Sequence, residues 1–150
     1  MSRVQLALNV SDLDSAVEFY SKLFNTRPAK LRPGYANFAV ADPPLKLVLI
    51  EGETGGSLNH LGVEVETSDL VQSAQRRLVA EGLATATEDG VACCYAVQDK
   101  VWVDDPDGAP WEIYTVLADV EMPAGQLRVT NPQDATCCSS APESAARCCD

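Results

Sequence analysis

All six cysteines of this chain come in adjacent pairs, Cys93-Cys94, Cys137-Cys138 and Cys148-Cys149. Neighbouring α-carbons lie only about 3.8 Å apart, shorter than the span of a relaxed disulfide, so such a pair closes on itself with strain. A larger thiophilic atom bridges it more readily, and binding of a soft atom is the chemistry to expect. Cys93-Cys94 lies within the part of the chain that carries regular hydrophobic patterning. The other two doublets lie near its end.

The elements that must position these thiols are duplicated. Gln5-Leu6-Ala7-Leu8-Asn9-Val10 matches His60-Leu61-Gly62-Val63-Glu64-Val65 at an offset of 55 residues, and both read as alternating strands. A helical pattern follows each: Leu13, Ala16, Val17, Tyr20, Leu23 and Phe24 in the first copy, Leu70, Val71, Ala74 and Leu78 in the second. Ser11 and Ser68 are the expected N-caps, and Gly82 ends the second helix. Three strands then follow in each copy, near 28–32, 35–41 and 45–50, and near 84–88, 97–104 and 110–116. The predicted fold class is α+β, two βαβββ modules pairing their sheets into one curved cavity. The domain spans 1–118, with modules of about 1–54 and 55–118. Residues 119–150, rich in Pro, Ala, Ser, Asp and Gln, are expected to be a disordered, cysteine-containing tail.

Lys46 aligns with Glu112 at an offset of 66, so the second copy carries 11 extra residues between its second and third strands. Cys93-Cys94 sits in that addition, expected to be a loop kept mobile by Gly90 and Ala92. The duplication also makes Gln5 and His60 equivalent, and puts Glu112 on the last strand of the second copy. An imidazole, a carboxylate and an amide oxygen can hold a first-row divalent metal and leave positions open for water, dioxygen or substrate. Iron(II) is favoured, with manganese or zinc as alternatives. Taken singly, His60 fits a hydrogen-bonded core residue, Gln5 a surface polar group, and Glu112 the solvent face of an edge strand. Their matched positions in a duplicated unit favour the ligand reading.

With 150 residues, 46% of them hydrophobic, the chain can bury one sizeable core. A net charge of −11 without a Lys or Arg run argues against nucleic acid and anionic membrane surfaces as partners. Met1 leads straight into an alternating strand, and no apolar run approaches membrane-spanning length, so a cytoplasmic protein acting on small molecules is expected.

The duplicated unit with Gln5, His60 and Glu112 resembles the vicinal oxygen chelate superfamily, which includes glyoxalase I and the extradiol dioxygenases, over residues 3–116. The resemblance implies a metal in the cleft between modules. Glyoxalase I uses a fourth ligand, a carboxylate, where this chain has Lys46, which favours oxygen-dependent chemistry over the glyoxalase reaction. The segments 32–39, 59–65 and 93–103 further resemble the ArsI carbon-arsenic lyases and their cadmium-induced CadI relatives. That resemblance implies iron(II)- and dioxygen-dependent cleavage of trivalent organoarsenicals such as methylarsenite or aromatic arsenicals, with release of arsenite. Cys93 and Cys94 would bind the arsenic, and Gln5, His60 and Glu112 the iron. Lys46 and Lys100 are candidates for supporting the metal ligands or closing the loop, against the plainer reading of solvated lysines. Cys137, Cys138, Cys148 and Cys149 would capture and relay substrate. Two alternatives stand beside this: a nonenzymatic cadmium- or arsenite-binding protein of the CadI type, and another metal-dependent dioxygenase of the superfamily. A homodimer is left open, as is module pairing within or between chains.

Overall fold

In a computed structural model, described over residues 1–93 and 95–120, the two copies join into one sheet. The first contributes β1 (Arg3–Val10), α1 (Leu13–Leu23), β2 (Lys30–Arg32), β3 (Tyr35–Val40) and β4 (Leu45–Glu51). The second contributes β5 (Ser57–Glu64), α2 (Ser68–Ala80), β6 (Ala86–Cys93), β7 (Ala96–Asp104) and β8 (Pro110–Asp119). The eight strands run in the order β2-β3-β4-β1-β5-β8-β7-β6, and the modules meet within one chain where β1 pairs antiparallel with β5. Within each module the first and last strands pair in parallel, β1 with β4 and β5 with β8. The protein is therefore α+β, built from paired βαβββ modules as the sequence predicts.

Strand alternation divides the side chains between two faces. Leu47 and Leu49 of β4 and Phe38 of β3 turn outward, cluster with Leu13, and receive Ala16, Val17 and Tyr20 of α1. Burying each large side chain there contributes about 1.5–3 kcal/mol. Val48 and Ile50 turn the other way, into a cluster with Ala7, Tyr35 and Tyr95. Tyr95 belongs to the β6–β7 turn, at the far end of the sheet from β3, and its ring lies 5.3 Å from that of Tyr35. Lys30 of β2 also donates to the Tyr95 carbonyl at 3.2 Å and pairs with Asp119 at the end of β8. The ends of the sheet thus curl toward each other, with the helices outside and a cavity inside.

Three local expectations are corrected. The N-caps are Asp12, whose carboxylate accepts from Ser15 N at 2.8 Å, and Thr67, whose hydroxyl accepts from Leu70 N at 3.3 Å. Ser11 precedes the first cap, while Ser68 is already helical and spends its hydroxyl on Asp99. The added length that carries Cys93 is mostly strand: β6 includes Gly90, Ala92 and Cys93 and pairs with β7 through to Cys93 opposite Ala96. A register shift between Glu88 and Val91 absorbs Gly90, whose φ of +63° suits glycine. β8 also continues to Asp119, three residues past the expected end of the strand at 116, because Ala96 and Val97 of the lengthened hairpin pair with its last residues.

Candidate metal and thiol site

The concave face brings Gln5, His60 and Glu112 together. All three are buried, at 4, 6 and 3% exposure, because they stand on the three central strands β1, β5 and β8. Gln5 Nε2 lies 2.6 Å from Glu112 Oε1 and 3.1 Å from His60 Nε2, and His60 Nε2 lies 3.3 Å from Glu112 Oε1. Gly62 sits between β1 and β8, opposite both Gln5 and Glu112. A Cβ there would stand 3.0 Å from Glu112 Cγ and 3.4 Å from Gln5 Cβ, so the missing side chain is what lets the two donors approach.

A divalent first-row ion fits this arrangement. Donors about 2.1 Å from one ion and at right angles stand about 3 Å apart, which is the spacing of the three groups. Among the described residues no three His, Cys, Asp or Glu side chains are grouped for a metal, so an amide is needed to complete a set of three. Gln5 currently turns Nε2 to its partners, while Oε1 accepts from the Tyr114 hydroxyl. A half-turn of the amide presents Oε1 to a cation. Tyr114 can then accept from Nε2 and keep its 3.0 Å hydrogen bond to Glu64 Oε2.

Surrounding groups fix the donors. His60 Nδ1 lies 2.6 Å from Asn59 Oδ1, and Asn59 Nδ2 donates to Asn9 Oδ1 at 2.9 Å. A neutral His60 with its proton on Nδ1 satisfies these contacts and leaves the Nε2 lone pair facing the site. Asn59 reaches it because β5 bulges there: Ala7 pairs with His60 and Leu8 with Leu58. Trp102 holds the imidazole edge-on, with ring centres 5.5 Å apart. Lys100 Nζ donates to Glu112 Oε2 at 3.0 Å, both groups being buried. Burial alone would raise the Glu112 pKa, but the Lys100 ammonium overrides it and holds the carboxyl well below its usual range. Glu112 is therefore an anion ready for a cation.

Lys46 lines the same cavity without reaching these donors. Its ammonium pairs with Glu64 Oε2 at 3.2 Å and lies 5.0 Å from the centre of the Tyr114 ring. Glu64 also receives Arg3 at 3.2–3.3 Å. Burial pushes Glu64 up, but Lys46 and then Arg3 more than offset this and leave its pKa lowered. A carboxyl lowered on folding adds stability that is complete above its unfolded value of about 4.3 and is lost as pH falls through the lowered folded value. Glu64→Gln should cost on the order of 1 kcal/mol at neutral pH and converge with the parent protein in strong acid. Urea midpoints measured across that range check this.

Cys93, 5% exposed, lines the same cavity as Gln5, His60 and Glu112. Tyr35, Val48 and Ile50 form an apolar wall in it. Cys94, Cys137, Cys138, Cys148 and Cys149 lie outside the described residues, as does the expected tail from residue 121. Sequence reasoning missed Asn59, Gln98, Trp102 and Tyr114. The signal available was alternation: Gln98, Lys100 and Trp102 share a strand face, as do Glu112 and Tyr114.

Paired βαβββ modules around such a site define a class. The chain belongs to the glyoxalase/bleomycin resistance protein/dioxygenase superfamily, whose family profile matches residues 3–113. Within it, the chain is 65% identical over 122 residues to the cadmium-induced protein CadI of Mycobacterium tuberculosis, covering 81% of this chain and 80% of that one. It is 59% identical over 141 residues to the trivalent organoarsenical cleaving enzyme of Thermomonospora curvata, covering 93% and 89%. Among solved structures, the Mn(II)-bound glyoxalase of Novosphingobium aromaticivorans shares the fold with a TM-score of 0.58 at 17% identity, covering 84% of this chain and 44% of that one. No helix among the described residues is long and apolar enough to cross a membrane.

Proposed function

We propose that this protein cleaves the carbon-arsenic bond of trivalent organoarsenicals, such as methylarsenite and aromatic arsenicals, with iron(II) and dioxygen, releasing arsenite for detoxification. The observation that carries this reading is Cys93 on the wall of the cavity that holds Gln5, His60 and Glu112. Cys93 with Cys94 would hold arsenic as a dithiolate. The organic substituent would rest against Tyr35, Val48 and Ile50. Gln5, His60 and Glu112 would hold the metal, with Asn59 orienting His60 and Lys100 keeping Glu112 ionised. Bound iron(II) would supply activation of dioxygen beside the held substrate. Fixing the reactants together can contribute roughly 7–11 kcal/mol when the geometry is close to attack.

The test begins with anaerobic protein, iron(II) and methylarsenite. Arsenite should form only after oxygen is admitted; its formation without oxygen, or its absence with oxygen, refutes the reading. Identity to the cadmium-induced protein favours a second reading, a soft-metal binder using its thiol pairs. Stoichiometric binding of cadmium or arsenite without organoarsenical turnover would establish that reading instead. The four distal thiols are proposed to relay substrate within a cytoplasmic chain that works as a monomer or homodimer.

A further inference from the structure

Gln98 carries a buried acceptor that no described residue donates to. The residue is 6% exposed, and its Oε1 is enclosed without a hydrogen-bond partner among the described residues. Leaving a buried polar atom so is costly, and such atoms are uncommon in folded proteins. Gln98 lines the same cavity as Cys93 and Glu112. On β7 it lies between Ala96, the partner of Cys93, and Lys100, which donates to Glu112. The orphan oxygen therefore lies along the strand that connects the thiol end of the cavity to the metal end.

We infer that Gln98 is a binding residue for a hydroxyl on arsenic, an assignment that rests on the thiol pair holding arsenic as proposed above. Arsenite meets two thiols as As(OH)3 + 2 RSH → (RS)2As–OH + 2 H2O, and one hydroxyl donor survives. An organoarsenical meets them as R′As(OH)2 + 2 RSH → (RS)2As–R′ + 2 H2O, and none survives. Both exchanges leave arsenic trivalent and release each hydroxyl as water with a thiol proton. The donor that matches Gln98 Oε1 thus belongs to thiol-bound arsenite, the product of the proposed reaction, and is missing from thiol-bound substrate. Recognition present in only one of two states favours that state.

The test uses the full-length chain with Cys137→Ser, Cys138→Ser, Cys148→Ser and Cys149→Ser, so that only Cys93 and Cys94 capture arsenic. Affinities for arsenite and for phenylarsine oxide are measured with and without Gln98→Met, a change close in volume that removes the acceptor. Arsenite binding should weaken about tenfold, the equivalent of one hydrogen bond, while phenylarsine oxide binding stays within about twofold. Gln98→Glu, which keeps an acceptor, should restore the preference for arsenite. Equal losses for both probes, or no loss for arsenite, would overturn the assignment while leaving the thiol anchor standing. Failure of the Gln98 parent to bind either probe would instead remove the anchor itself.

Discussion

Cys93→Ser is expected to reduce organoarsenical turnover by roughly 10²–10⁴-fold, because a second bond to an atom already held is effectively intramolecular and supplies a gain of that order. A serine oxygen is a poor partner for a soft atom, and one remaining thiolate leaves arsenic free to rotate away from the metal. The iron stoichiometry of the variant should match that of the parent, since Gln5, His60 and Glu112 make their contacts with one another and with Lys100, Asn59 and Tyr114. Cys94→Ser should behave alike. Arsenical binding by fluorescence or calorimetry, paired with iron content, separates the outcomes: loss of iron in a cysteine variant would contradict the division of labour.

Glu112→Gln should abolish iron(II) retention while arsenical binding persists. It should also lower the stability of the metal-free protein by about 1.5–3 kcal/mol, because Lys100, at 2% exposure, would exchange its charge-assisted hydrogen bond to a carboxylate for a weaker one to an amide. These two losses have different origins and can be pulled apart. Adding Lys100→Met removes the buried ammonium as well, and most of the stability should return, since a buried ion pair and its apolar replacement are often close in energy. Iron binding should not return. Thermal unfolding and metal content of the single and double variants give the comparison; recovery of iron in the double variant would show that Glu112 acts through packing and not as a ligand.

The fold was legible because duplication doubles every signal. One strand pattern can be read more than one way, whereas the match between Gln5–Val10 and His60–Val65 constrains both, and these segments became β1 and β5 paired at the module junction. The convergence of Gln5, His60 and Glu112 followed from the same equivalence, and the side chains stand within hydrogen-bonding range of one another. What escaped reading depended on local geometry. The role of Asn59 comes from a bulge that shifts β5 by one residue, and nothing in the residue types announces it. The extra length around Cys93 looked like a loop because Gly90 and Ala92 are weak strand formers, yet pairing with β7 determined the outcome. Gln98 read as an ordinary strand residue until the sheet curled and turned it into the cavity, and Tyr114 until its hydroxyl met Gln5 Oε1 and Glu64 Oε2.

The end strands of the sheet also bear on how copies of this chain meet. An open sheet presents unpaired backbone groups along its outer strands, which invite neighbouring molecules to add their own. Here β2 is only three residues long and carries Lys30 and Arg32, so it offers a short, charged template. β6 is eight residues long, but it is broken by the register shift at Gly90 and flanked there by Glu88 and Asp89. Short length, bulging and charge each oppose intermolecular strand pairing. Growth of copies into a continuous sheet through these edges is therefore disfavoured.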